Sequence, residues 1–529
     1  MEVATVRDDF RRTGVMGSLL GSVAPHLLGW QDRRPRGRED IRASQNAILE
    51  RLLRHMASTR RGASLGLGRI AGSKDLVVER FRELPVEHYA DIASEIEACA
   101  RGERDVLFRG RAVALAQTSG TTSEAKTGER YIPQSRRLLT HHARGGAASL
   151  SRLSQVAGPE LFGGRMLMLG GSTKLERNPA GIPAGDLSGI TVSRIPWFLA
   201  SLYEPGRKLA LESDWSAKVR GIARRLLHAD VRLVAGIPSW CQVLFQQVCE
   251  MGGAHRLREV WPGMRAFVHG GVSIDPYLPM LREHLAPDTW MMEVYPSSEA
   301  FIAVGSRPWR LDEGVAPDLE LLTAHDVYLE FLREDLVDRP DLAVGAHDLE
   351  PGALYRVLLT TPGGLVRHQI GDLVEGRAPG MIRFAGRVKG RISVFGEHVE
   401  GARLAEALAE ACRATDSVVR EWHVAPVLPT ASDPRGRHEW WVEFLREPDD
   451  PDRFEGVLDE VLQRGVLDYQ AHRAGDVQLL SPRLRALPKG TFHRALQAEG
   501  RLGGQHKVPT AWSDRRWADL LSRFSGGTT

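Results

Sequence analysis

Four short segments of this 529-residue chain carry residue types suited to chemistry on a phosphorylated ligand. The first is Thr118-Ser119-Gly120-Thr121-Thr122, directly after an apolar run at residues 112–116. Glycine lets the backbone come close, so successive N–H groups can surround a phosphate, and the hydroxyls add donors. The segment lacks the GxxxxGK[ST] spacing of a P-loop, and alone it also reads as an ordinary turn. The second is Tyr295-Pro296-Ser297-Ser298-Glu299. A glutamate after a strand and a small-residue turn suits Mg2+, which takes carboxylate and phosphate oxygens together. A lone glutamate there also suits a capping role. The third is Arg367-His368-Gln369-Ile370-Gly371-Asp372, whose carboxylate can accept from both ribose hydroxyls or serve as a turn aspartate. The fourth is Gly386-Arg387-Val388-Lys389, followed by Ile392, Gly396 and Glu397. It lies at a change in composition that reads as a domain boundary, where a polar residue can absorb the backbone rotation of a hinge. Alone, it is a basic loop.

The elements that must position these segments follow from periodicity. Residues 41–56 place Ile48, Leu49, Leu52 and Leu53 on one helical face. From about residue 110, short apolar runs alternate with polar loops and helices. Runs at 165–169, 231–237, 265–268 and 291–294 each lead into a loop. The helix after Pro238 is expected to bury Trp240, Val243, Leu244 and Val248. This alternation predicts an α/β domain, with ligands at the loops after strand ends. Strand-type segments follow at 327–332, 354–361 and 381–384. Beyond about 389 a smaller α+β unit is expected, with a helix at 404–412 and a hairpin of 418–427 with 439–444. In Trp440-Trp441, alternation between strand faces predicts that one ring packs in that unit's core. The domains are therefore set at 1–388 and 389–529.

Composition narrows the class. With 42% hydrophobic and 26% charged residues the chain is globular, and its length suits two or more domains. The net charge of +3 argues against a surface built for nucleic acid. No run reaches a membrane span or follows the order of a signal peptide, so cytoplasm and no membrane partner are the expectations. Cys99, Cys241, Cys249 and Cys412 are scattered, without a CxxC pair, as in a cytosolic protein with buried thiols. Gly66-Leu-Gly-Arg-Ile-Ala71 fits GxGxxA but follows no strand, which disfavours a dinucleotide site.

Taken together, the order and spacing of the four segments resemble the adenylate-forming superfamily of acyl-CoA synthetases, adenylation domains and luciferases. Further segments narrow the resemblance to the Gretchen Hagen 3 family of acyl-acid amido synthetases, especially its bacterial branch. These are Gly236-Ile-Pro-Ser-Trp240, Trp261-Pro-Gly-Met264, Val268-His-Gly-Gly-Val-Ser273, Val327-Tyr-Leu-Glu-Phe331, Gly364-Leu-Val-Arg-His-Gln-Ile-Gly-Asp372, Phe395-Gly-Glu-His398 and Gln505-His-Lys-Val-Pro509. The similarity runs from about residue 65 to 520.

The resemblance implies a large ATP- and acyl-binding domain and a small mobile one. It implies an ATP- and Mg2+-dependent ligase that makes an acyl-adenylate from a carboxylic acid and then an amide with an amine, often an amino acid. Ser119, Gly120, Thr121 and Thr122 would hold phosphates, with Lys126 or Arg130 as the accompanying cation. Gly270, Gly271 and Val272 would flank adenine, with His269 orienting that loop. Tyr295 and Ser298 would line the adenylate pocket, Glu299 would hold Mg2+, and Asp372 would bind ribose with Arg387 nearby. Lys389 would be the hinge.

The superfamily also uses a C-terminal lysine on the developing phosphate charge. The chain has only eight lysines, the other 62 basic residues being arginine, and just Lys489 and Lys507 follow the hinge. Lys507, in QHKVP, is favoured over Lys489, in LPKGTF. A thiol acceptor and a non-catalytic nucleotide-binding relative are the alternatives.

Overall fold

A computed structural model describes the chain outside residues 1–31, 33, 36, 74–75, 119–129, 171–174, 196–201, 211, 213–214, 272–273, 275–277, 388–390, 431–432, 499–510, 513 and 526–529. The chain divides into two compact units, the first ending at Ala385 and the second running on from Gly386.

In the first unit, the described residues form a sheet of 13 strands that changes character along its width. Strands Arg165–Leu169, Val231–Gly236, Ala266–Gly270 and Trp290–Pro296 pair in parallel. Helices Pro238–Gly252 and Leu278–His284 lie in the connections, as parallel pairing requires. From Trp290–Pro296 onward the pairing turns antiparallel, through Phe301–Gly305 and Leu319–Leu321 to Met381–Arg387. It continues through His368–Ala378, Leu354–Thr360 and Tyr328–Arg333. The antiparallel strands alternate inward apolar residues. Leu329 and Phe331, Leu319 and Leu321, and Tyr355, Val357 and Leu359 meet Ile302, Val374 and Ile382 in one core. A separate four-stranded sheet holds Ala114–Thr118 against Arg130–Gln134, antiparallel.

Helix Arg136–Ala157 starts where Ser135 Oγ accepts from Leu138 N, and it stops at Gly158 with φ of 77°. Its Ala148 and Leu153 pack with Leu233, Ala266, Met292 and Val304 of the large sheet. The N-terminal helix Arg38–Met56 buries Ile48, Leu49, Leu52 and Leu53 as its periodicity predicts. Helix Pro238–Gly252 is turned from its expected face. It buries Cys241, Leu244, Phe245 and Val248, whereas Trp240 and Val243 stay half-buried. The i, i+3, i+4, i+7 stripe starting at Cys241 places a larger set of fully buried groups inward.

The second unit contains the expected hairpin, Val418–Val427 with Arg437–Arg446, extended by Arg483–Leu487 in parallel. Both tryptophans of the 440–441 pair are buried, where alternation predicts one. Trp440 stacks on Trp422 at 5.8 Å, and Trp441 packs with Leu487, Phe492 and Trp517 on the opposite face. Helices cover both faces of this sheet, so alternation along the strand leads into two cores. Glu397 is fully buried and accepts from the N–H groups of Val394 and Phe395, both at 2.7 Å, and pairs with His438 at 2.7 Å. Burial pushes its carboxyl up, but the His438 bond and charge and the backbone donors hold it well below the usual carboxylate range.

The four cysteines are free, three of them buried. Among the described residues no helix is long and apolar enough to cross a membrane.

Candidate active site

Tyr295 and Glu299 are placed by a β-hairpin. Strand Trp290–Pro296 turns through residues 297–300 into Phe301–Gly305. The turn closes with Ser297 N donating to Ala300 O at 2.8 Å, so Glu299 sits at its tip. Asp372 comes from strand His368–Ala378, within the strand itself. There the ladder jumps from Arg356–Leu373 to Leu358–Gln369, a bulge centred on Gly371 with φ of 84°. Bulges re-aim side chains, and the positive φ explains the glycine.

The two segments converge. Tyr295 Oη donates to Asp372 Oδ2 at 2.6 Å, within a buried environment. Three strands stand between their parent strands in the sheet order. Flat strands spaced about 4.8 Å apart would hold them roughly 19 Å apart. The hydrogen bond therefore requires the antiparallel half to curl over its core. Phe384, on one of those intervening strands, packs edge-on to the Tyr295 ring at 5.7 Å.

Gly270 ends the strand beside Trp290–Pro296. A Cβ on it would lie 2.2 Å from Val294 O, so only glycine fits there. Gly271 follows with φ of 84°, and a Cβ there would first meet Ile237, at 3.6 Å. Backbone conformation rather than crowding is therefore what favours glycine at 271. For His269, expected to orient this loop, the described residues supply no side-chain hydrogen bond that would do so. Its ring is buried between Phe267 and Trp309, no hydrogen-bond partner meets its nitrogens among the described residues, and burial pushes it down to about 3.

Other candidates are less defined. Ser119, Gly120, Thr121, Thr122, Lys126, Val272, Lys389 and Lys507 lie outside the described residues, and Arg387 is described only as the last residue of its strand. Arg130 begins the strand after the 119–129 segment, with its guanidinium 4.7 Å from the Tyr89 ring centre. Lys489 is exposed at a turn in the second unit.

Residues without any motif signal hold the hairpin tip from behind. Gln134 is fully buried, and its Nε2 donates to Ser298 O at 2.9 Å. Ser298 Oγ donates to Gln117 O at 3.3 Å. The His141 ring nitrogen Nε2 meets the Phe301 backbone N–H at 3.1 Å. His142 lies beside it, where burial pushes the imidazole down to about 4 against the opposing Ser298 backbone. Gly145, one turn further, leaves room for the Phe301 ring, whose Cγ would be 2.3 Å from an added Cβ. At the head of the Asp372 strand, buried Arg367 pairs with buried Glu330 at 3.2 Å and donates to Arg82 O and Pro340 O, both at 2.6 Å. This pair explains why Val327-Tyr-Leu-Glu-Phe331 and the Asp372 segment belong together: one supplies the carboxylate that the other buries a guanidinium against.

The arrangement brings the Asp372 carboxylate and the Tyr295 hydroxyl together across the antiparallel strands, with Glu299 at the hairpin tip where the sheet passes from parallel to antiparallel. Buried Asp372 suits a pair of ribose hydroxyls, Glu299 suits a hard divalent cation, and the glycine backbone suits close approach of a planar ring.

The chain matches the GH3 family N-terminal domain over residues 37–220, the central domain over 320–387 and the C-terminal domain over 402–516. It is 23% identical over 292 residues to the indole-3-acetic acid-amido synthetase GH3.3 of Arabidopsis thaliana, covering 50% of this chain and 46% of that protein. It is 27% identical over 280 residues to a probable indole-3-acetic acid-amido synthetase, GH3.9, of Oryza sativa subsp. japonica, covering 48% and 61%. The chain thus spans about half the length of these curated relatives. Among solved structures, an acyl acid amido synthetase, GH3.15, in complex with 2,4-DB superposes with a TM-score of 0.56 at 17% identity, over 96% of this chain and 97% of that one. A 2-hydroxyisobutyryl-CoA ligase superposes at 0.52 and 13% identity, over 90% and 91%. The chain shares the fold of these two enzymes.

Proposed function

Because the chain belongs to the GH3 family, we propose that it is an ATP-dependent ligase that joins a carboxylic acid to an amine. In the first half-reaction the acid's carboxylate oxygen attacks the α-phosphorus of ATP, and pyrophosphate leaves. In the second, the amine attacks the acyl carbonyl of the adenylate, AMP leaves, and the amine's proton goes to solvent. The observation that carries this reading is the 2.6 Å hydrogen bond from Tyr295 to Asp372, which unites two motifs 77 residues apart in one buried site.

Each residue then has a role within the proposal. Asp372 accepts from the ribose hydroxyls, and Tyr295, by donating to its Oδ2, holds the carboxylate in place and lines the pocket with Ser298. Gly270, Gly271 and Val272 flank the adenine. Ser119, Gly120, Thr121 and Thr122 bind phosphate, with Arg387 near the ribose. Mg2+, held by Glu299 together with phosphate oxygens, would neutralise charge on the phosphates. Lys507, with Lys489 as the substitute, stabilises the charge that develops on the α-phosphate. Residues 389–529 would form the mobile domain, turning about Lys389 between the half-reactions. Placement in the family's bacterial branch and in the cytoplasm belongs to the same proposal.

The two GH3 relatives are named for indole-3-acetic acid, and one solved structure contains 2,4-DB. Those two acids head a panel for acid-dependent pyrophosphate release with ATP and Mg2+. The best acid is then offered amino acids, or coenzyme A, and the products are weighed by mass spectrometry. An amide with an amino acid supports the reading. A thioester, made without any amide, replaces it with acyl-CoA synthesis.

A further inference from the structure

We propose that Gln134 is a positioning residue for Glu299, fixing the hairpin tip so that its carboxylate is presented to a divalent cation in one geometry. The proposal rests on the functional reading of Glu299 above. Ser298, the residue before it, is gripped twice. Its carbonyl accepts from Gln134 Nε2 at 2.9 Å, and its hydroxyl donates to Gln117 O at 3.3 Å.

The grips come from two strands that pair with each other. Gln117 lies near the end of Ala114–Thr118 and Gln134 at the end of Arg130–Gln134, and Ala114 is in register with Gln134. These strands lead into and out of the Ser119–Thr122 motif. The hairpin tip is thus tied to the stem of the segment assigned to phosphate.

Gln134 has few other uses. Its side chain is fully buried, and its amide also reaches Ile132 O at 3.2 Å within its own strand. A buried amide is expensive to keep unless its bonds matter. Val or Ile at this position would continue the strand more cheaply. The hydrogen bond to Ser298, 164 residues away, is what glutamine adds.

Thermal shift with ATP, titrated with Mg2+, tests this on the full chain. Gln134→Met keeps the volume and removes both donors. At saturating ATP it should raise the Mg2+ concentration for half-maximal shift about fivefold, the worth of one hydrogen bond. In a Glu299→Gln background the same change should shift it less than about twofold, because its effect runs through Glu299. Equal effects in both backgrounds, or none in either, would overturn the proposal. If Gln134→Met does not fold, the smaller change Gln134→Asn withdraws the amide from Ser298 O and should show the same dependence on Glu299. A wild-type Mg2+ profile for Gln134→Asn then overturns it. Failure of the unmodified protein to shift with ATP and Mg2+ would instead overturn the functional reading, and this proposal with it.

Discussion

Tyr295 and Asp372 show how one hydrogen bond organises the candidate site. A bond to an ionised carboxylate is worth about 1.5–3 kcal/mol. Tyr295→Phe keeps the ring against Phe384 and removes only that donor. It should lower kcat/KM for ATP by roughly tenfold or more, mostly through KM, and also lower stability by about 1–3 kcal/mol. Steady-state kinetics at fixed acid checks this, and an unchanged KM for ATP would separate the pair from nucleotide binding. The buried histidines make a second prediction. Burial pushes His142 and His368 down to about 4 and His269 to about 3. They stay neutral in the fold but titrate near 6.5 in the unfolded chain. Their contribution to stability is therefore fully present above about pH 6.5 and is lost as pH falls toward 4, by up to roughly 1.4 kcal/mol per unit for each. Glu397, held below its ordinary range, adds a loss below about pH 4.5. Melting temperatures should fall between pH 7.5 and 5, and a flat profile would contradict the burial of these rings.

Helix Arg136–Ala157 and the Tyr295 hairpin are the elements on which the site's shape depends. Gly145 allows their close approach, since a Cβ there would sit 2.3 Å from the Phe301 ring. Gly145→Ala should cost about 1–3 kcal/mol of stability by overpacking and should also weaken Mg2+-dependent ATP binding. Melting and the Mg2+ titration read the two effects, and unchanged values for both would mean that the helix does not hold the hairpin. Much at this scale is legible in the sequence. The strands at 165–169 and 354–360 and the hairpin of the second unit show themselves through short apolar runs and alternation. Tyr295, Glu299 and Asp372 stand out through motif context. The curl that joins Tyr295 to Asp372 does not, because it is a property of the whole sheet and no local pattern records it. Gln134 is equally silent, since a single glutamine at a strand end looks like any other polar residue. Alternation predicts one buried ring in the 440–441 pair and misses the second, because it says nothing about whether another layer covers the outer face.

At the scale of the whole molecule, a net charge of +3 over 529 residues leaves any strong positive field to be made locally. Arginines are abundant and many are engaged in ion pairs, such as Arg152 with Asp32 at 3.0 Å and Arg473 with Asp459 at 2.6 Å. The eight lysines are the scarcer resource. Lys507→Ala should lower the adenylation rate by about 3–4 kcal/mol of transition-state stabilisation, while Lys489→Ala retains most activity. Single-turnover adenylate formation separates them, and the reverse pattern would transfer the role to Lys489. The measurement that tests the central claim most directly is acid-dependent exchange of labelled pyrophosphate into ATP, since it requires the acyl-adenylate and nothing later. Exchange is expected with at least one acid of the panel, with none in the absence of acid. It should depend on Mg2+ and be lost in Asp372→Ala that is still folded. Binding of ATP and Mg2+ with no exchange for any acid, or exchange undiminished in Asp372→Ala, would contradict the claim.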